Sequence, residues 1–361
     1  MNLADFTLQS FRFLLLPFSL IYGFVIWVRN RLYDRNILSS VSFNLPVICV
    51  GNLRVGGTGK SPMIEFLIRM LKEDYALATL SRGYKRKTKG YALANEQTTA
   101  LDIGDEPMQF HLKFPEIAVA VGESRVEAIP QLLHDCPQTR VILLDDAFQH
   151  RKIRPGLSIL LTEAEDLFTR DFFLPTGDLR DEKKSYERAD MIVVSKCPSD
   201  LPESEKYRIL REINPKKHQE VFFSTIEYQT PVHILNKNQT FPLQKNTEVL
   251  LVTGIANTRP LEKYIQEQSY TYVKLAYADH HIFTIDDLTE IKNEFDQMEH
   301  PHKIILTTEK DAVRLEKFRE QLEELPIYVL PIRHRILFEE ETDFRQQIYA
   351  FIEKFEKPDS N

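Results

Sequence analysis

Residues 49–61 read Cys-Val-Gly-Asn-Leu-Arg-Val-Gly-Gly-Thr-Gly-Lys-Ser, and their reading decides the fold. The apolar run 45–50 predicts a strand leading in, and 62–71 predicts a helix leading out. A glycine-rich turn between strand and helix leaves backbone N–H groups free to surround a polyphosphate, and the helix N-terminus adds partial positive charge. Gly56, Gly57, Thr58 and Gly59 form the turn. Lys60 would reach the β- and γ-phosphates, and Ser61 would offer its hydroxyl to Mg²⁺. The run therefore points to a nucleoside triphosphate. Arg54 stands where the usual pattern has its first glycine, and Gly51, Gly56 and Gly57 supply the flexibility instead.

Outward from this turn, apolar runs alternate with helical patterns. Strands are predicted at 47–50, 77–80, 117–121, 141–144, 157–161 and 191–194, with helices at 62–71, 125–133 and 206–213. Strands that are apolar throughout have both faces covered, and strand–helix alternation gives a mostly parallel sheet with right-handed crossovers. Loop signals fill 214–247, and alternation then resumes to residue 330. The expectation is an α/β protein: a P-loop NTPase-like parallel-sheet domain over 36–215, a linker over 216–247, and a smaller α/β domain over 248–361. Residues 1–35 are expected to form a hydrophobic, membrane-associating helix.

Composition narrows the class. The chain has 361 residues, a 43% hydrophobic share and a formal net charge of −7. That charge gives no support to nucleic-acid binding. Cys49, Cys136 and Cys197 are scattered, which argues against a zinc site and fits a reducing compartment. No obligate protein partner is evident. Residues 13–28 (FLLLPFSLIYGFVIWV) carry no charge, and Arg29, Arg31 and Arg35 follow at once. The run is short for a full span, which needs about 20 apolar residues. Its cationic flank suits an interfacial or anchoring segment facing the cytoplasm, against the plainer reading of a core helix. Arg82, Lys85, Arg86, Lys87 and Lys89 crowd one loop, either as a solvated surface or as a patch for phosphates or an anionic membrane.

Further residues bear chemistry. The predicted strand at 141–144 ends in Asp145-Asp146, at the sheet edge where Mg²⁺ is held beside a phosphate loop. Gln149 and His150 follow in the same loop. Gly104-Asp105-Glu106-Pro107 precedes a helical run, where the acids would at least favour its N-terminus. Asp279-His280-His281 lies in the second domain and would face the first across a cleft. In 307–311 (TTEKD), Thr308 is a candidate N-cap. The loop 174–181 offers Arg180 to a phosphate.

In order along the chain, GNLRVGGTGKSP, LSRGYKRK, GDEP, VGESR, DDAFQH, LPTGDLRDE, GIANTRP, ADHHIF and TTEKDAVRL resemble the tetraacyldisaccharide 4'-kinase family of lipid A biosynthesis. The resemblance implies two α/β domains with the site in the cleft between them, held on the cytoplasmic face of the inner membrane by the N-terminal segment. It implies transfer of the ATP γ-phosphate to the 4'-hydroxyl of a tetraacylated glucosamine disaccharide 1-phosphate, giving lipid IVA. It further implies that Asn52, Lys60 and Ser61 hold phosphate. Asp105 would be the base, His280 its partner, and Asp145 and Asp146 the metal-associated acids. Tyr84, Glu106, Gln149, Arg180 and Asp181 would line the site. The chain departs from the pattern at Ala147, at Pro155-Gly156 and at Asp181.

Alternatives stand beside this. Gly-Gly-x-Gly-Lys-Ser also occurs in membrane-associated ATPases that sort cargo, but those carry a lysine where this chain has Val55. A guanine-specific switch needs Asn-Lys-x-Asp, which neither 195–198 nor 309–311 supplies. A soluble small-molecule kinase, with the N-terminal run buried, is the third reading.

Overall fold

The structure is a computed structural model and describes residues 12–356. Strands β1 (Val47–Asn52), β2 (Leu77–Ser81), β3 (Ala92–Leu93), β4 (Ala118–Val121), β5 (Val141–Asp145), β6 (Leu157–Glu163), β7 (Met191–Ser195) and β8 (Glu220–Tyr228) build a first sheet. Strands β9 (Val232–His233), β10 (Glu248–Thr253), β11 (Thr271–Ala276), β12 (Lys303–Thr308) and β13 (Ile327–Leu330) build a second. The last strand, β14 (Ile332–Ile336), returns to the first. The order is β14-β8-β7-β6-β1-β5-β2-β4-β3 in the nine-stranded sheet and β11-β10-β12-β13-β9 in the five-stranded one. Pairing is parallel except for the edge strands β3, β9 and β14.

The glycine-turn strand β1 lies centrally, flanked by β5 and β6. Its successive side chains enter opposite layers. Ile48 and Val50 meet Ile64, Leu67 and Ile68 of α2 (residues Lys60–Leu71), while Val47 and Cys49 face the other layer with Ala128 and Ile129. Each such buried aliphatic side chain stabilises the fold by about 1.5–3 kcal/mol. The covering on both faces explains the continuous apolar runs of the sequence.

The domain boundaries expected from sequence are redrawn. Residues 216–247 are not a plain linker, since β8 belongs to the first sheet and β9 to the second. The segment after β13 does not stay with the second unit. β14 pairs with β8, and Phe344, Ile348 and Ile352 of the final helix (Glu341–Glu356) enter the first core. Two short connections therefore join the units, at 229–231 and at Pro331.

Helix α1 (Leu16–Asp34) packs by its small and polar face. Ser19 Oγ donates to Thr176 Oγ1 (2.7 Å), and Asn30 Nδ2 donates to Asp181 and Glu182 (2.8 Å each). Gly23 lets the helix approach Phe173, whose ring would lie 2.7 Å from an added Cβ. The apolar face points outward: Phe18, Leu20, Ile21, Phe24 and Val25 are all more than half exposed. Among the described residues no helix is long and apolar enough to cross a membrane.

Candidate active site

The turn after Asn52 opens at the carboxyl edge of the first sheet, where parallel α/β sheets place ligands. Gly56 (φ 117°) and Gly59 (φ 86°) take the left-handed backbone that the turn requires. The loop is braced from below. Asn52 Nδ2 donates to Thr58 Oγ1 (2.9 Å) and Ser195 Oγ to the Thr58 carbonyl (2.8 Å). His334, on β14, donates from Nε2 to the Gly59 carbonyl (3.0 Å), with Ser224 Oγ 3.0 Å from its Nδ1.

Burial pushes the His334 imidazole down to about 4. Folded, it stays neutral where the unfolded side chain already takes a proton. Its stabilisation is therefore complete above pH 6.5 and lost as pH falls toward 4. His334→Asn should flatten the pH dependence of the urea-unfolding free energy in this window by one proton's worth. His150, lowered likewise to about 4 mainly by burial, keeps a remaining slope.

The acid pair divides its work. Asp145 closes β5 at 2% exposure, and among the described residues its Oδ1 has no hydrogen-bond partner. Burial, with Glu106 and Asp146 nearby, pushes its carboxyl up to about 7. Asp146 turns toward Arg180, whose Nη1 donates at 2.9 Å and whose Nη2 also binds it, and toward Lys60 Nζ at 3.8 Å. Burial would raise Asp146, but Lys60 and Arg180 hold it below the ordinary carboxylate value. Arg180 Nη2 also donates to Asn52 Oδ1 (2.5 Å), and Gln149 Nε2 to the Asn52 carbonyl (2.5 Å). The structure thus gathers Asn52, Lys60, Asp146, Gln149 and Arg180.

GDEP meets the same turn. Asp105 and Glu106 begin α3 (Asp105–Lys113). Ser61 Oγ donates to Glu106 Oε1 (2.8 Å), and Lys310 Nζ donates to the same oxygen (3.0 Å). Burial would raise Glu106, but Lys310, Ser61 and Lys60 lower it overall. His280 (φ 62°) comes from the second unit and brings Nδ1 to 3.2 Å from Asp105 Oδ2. Tyr84, 68% exposed, sets its ring edgewise to His280 at 6.2 Å. Mg²⁺ asks for oxygen donors, few of them carboxylates, and phosphate oxygens besides. Ser61, Glu106 and the unpartnered buried oxygen of Asp145 fit that demand.

Two sequence readings change. Asp181 does not line the cleft: it is fully buried and bound by Asn30, Ser185 and Arg188. In the basic loop, Arg86 is not part of a free patch. Its side chain is 2% exposed and pairs with Glu123 at 2.6 Å.

The sequence reading missed the residues that reach the site from afar. Besides His334 these are on α4 (Glu309–Leu315): Glu309 binds Lys113, Lys310 binds Glu106, and Arg314 binds Asp105. The predicted cap Thr308 does accept from Asp311 N. Nothing local says which acids the helix will meet.

Comparison with known proteins shows the family. The family model described as tetraacyldisaccharide-1-P 4'-kinase (LpxK) matches residues 11–353. The tetraacyldisaccharide 4'-kinase of Bacteroides thetaiotaomicron is 44% identical, over 94% of this chain and 92% of its own. That of Flavobacterium johnsoniae is 44% identical, over 91% and 95%. A crystal structure of LpxK from Aquifex aeolicus in complex with ATP superposes with a TM-score of 0.75 at 28% identity, covering 95% of this chain and 99% of that one. The chain with this phosphate loop and cross-unit acid cluster belongs to the tetraacyldisaccharide-1-P 4'-kinase family.

Proposed function

We infer that this protein transfers the γ-phosphate of ATP to the 4'-hydroxyl of a tetraacylated glucosamine disaccharide 1-phosphate, giving lipid IVA. The observation that carries the reading is the Ser61–Glu106 hydrogen bond, which puts GDEP one contact away from the phosphate loop.

Phosphoryl transfer asks for alignment and charge neutralisation. The loop N–H groups and Lys60 cradle the β- and γ-phosphates, while Arg180 neutralises charge beside them. Ser61, Asp145 and Glu106 would hold Mg²⁺ with the phosphate oxygens, while Asp146 stays paired with Arg180 and Lys60. Mg²⁺ supplies positive charge to the phosphate oxygens when bound. Asp105 accepts the proton of the 4'-hydroxyl as that oxygen attacks in line. His280 orients Asp105 from the other unit, and Tyr84 lines the entrance for the sugar. Because the two belong to different units, the acid is fully positioned only when the units meet, which limits hydrolysis of ATP by water.

The outward apolar face of α1 supports attachment to the cytoplasmic face of the inner membrane, where a lipid substrate lies. Phe18→Ser/Ile21→Ser/Phe24→Ser should move the protein from the membrane pellet to the supernatant on detergent-free fractionation, with an unchanged unfolding midpoint. A membrane fraction equal to wild type would remove α1 as the anchor.

The activity itself is tested with γ-labelled ATP and the lipid disaccharide 1-phosphate in mixed micelles. A labelled lipid one phosphate heavier is expected. ATP turnover without a lipid product would point to an ATPase instead.

A further inference from the structure

We propose that Arg314 is a positioning residue for the transfer: it grips Asp105 by one carboxylate oxygen and so reserves the other for the acceptor hydroxyl. This rests on the reading of Asp105 as the base.

The contacts are one-sided. Arg314 Nε and Nη2 approach Asp105 Oδ2 at 2.9 and 2.8 Å, and His280 Nδ1 approaches the same oxygen at 3.2 Å. Among the described residues Oδ1 receives no such contact. A carboxylate has lone pairs on both oxygens. With Oδ2 engaged, the incoming hydroxyl finds its acceptor in Oδ1.

Arg314 is itself fixed. It is 8% exposed, and Nη1 donates to the Gly254 carbonyl (3.3 Å) and Asp311 Oδ1 (3.1 Å). Asp311 is fully buried, and its Oδ2 accepts from Thr308 Oγ1 (2.7 Å) and the Gly254 N–H (3.1 Å). The guanidinium is therefore anchored to the start of α4 and the end of β10 before it reaches the first unit. A planar fork held this way transmits orientation, which a lysine's single ammonium does less well.

Arg314 also joins the histidine to the acid. Its Nη2 lies 3.0 Å from His280 Nδ1. The other ring nitrogen, Nε2, has Asp279 Oδ2 at 3.9 Å. The guanidinium thus lies within reach of both the imidazole and the carboxylate. Arg314 and His280 converge on the same oxygen of Asp105.

The test uses the full-length protein in mixed micelles with ATP and the lipid disaccharide 1-phosphate. Arg314→Gln should lower kcat by about 10²-fold, the cost of misplacing a reacting group, and leave the KM for ATP unchanged. Arg314→Lys should recover part of that loss, and added guanidinium at millimolar concentration should speed Arg314→Ala but not wild type. Wild-type kcat in Arg314→Gln overturns the proposal. So does a loss that neither lysine nor guanidinium relieves, because that pattern marks a merely structural contact. If Asp105→Asn keeps wild-type turnover, the failure belongs to the reading of Asp105 and not to Arg314.

Discussion

Asp105→Asn is expected to slow transfer to the disaccharide by about 10²–10⁴-fold, the usual worth of a positioned general base, with nucleotide affinity kept. The substitution preserves shape and removes the proton acceptor. Asp105 is a quarter exposed, and its partners His280 and Arg314 approach Oδ2 from the second unit. Among the described residues none of its contacts reaches the phosphate loop, which is served by Glu106 through Ser61. The loss should therefore fall on kcat, while the Kd for ATP, read by titration calorimetry, stays near wild type. A carboxamide beside Arg314 also weakens one cross-unit ion pair. The unfolding midpoint should fall little, because Arg314 keeps its bonds to Asp311 and the Gly254 carbonyl and a carboxamide oxygen still accepts from it. Turnover near wild type would mean that the acceptor hydroxyl loses its proton elsewhere.

Much of the first unit was legible in the sequence because its strands lie inside the sheet. Residues 141–144 and 191–194 are apolar throughout, and both lie in fully buried strands. β14 escaped notice because it is an edge. Its Ile-Arg-His-Arg-Ile alternates, as a half-covered strand does, and carries arginines that protect the edge. No local pattern announces that the chain will leave the second unit to finish in the first. The same limit governs the site. Glycine turn, Lys60 and Ser61 are contiguous, so their joint meaning survives without a structure. His334, Lys310 and Arg314 lie far along the chain from the groups they touch, and their chemistry comes from topology alone. The basic loop misleads for a related reason: Glu123, which occupies Arg86, is distant in sequence.

Lys60→Met should lower kcat by about 10²–10³-fold, the cost of removing one preorganised charge from a transferring phosphoryl group, and should weaken ATP binding as well. The ammonium now lies 3.8 Å from Asp146 Oδ1 and 3.5 Å from the Gly56 carbonyl, both loose contacts. It has little to lose on turning to a phosphate, and its removal should leave the fold standing. The consequence for Asp146 is larger. Lys60 and Arg180 together hold that carboxylate, and without Lys60 only Arg180 opposes its charge at the mouth of the phosphate loop. Part of the lost ATP affinity in Lys60→Met is then repulsion from Asp146. Adding Asp146→Asn to Lys60→Met should recover some of that affinity, while Asp146→Asn alone lowers it, so the two effects do not add. The recovery should not extend to kcat, because an asparagine supplies no charge to the γ-phosphate. Calorimetric Kd and label transfer on the four proteins of the cycle separate the two effects. Normal turnover in Lys60→Met would deny the loop its part in the chemistry.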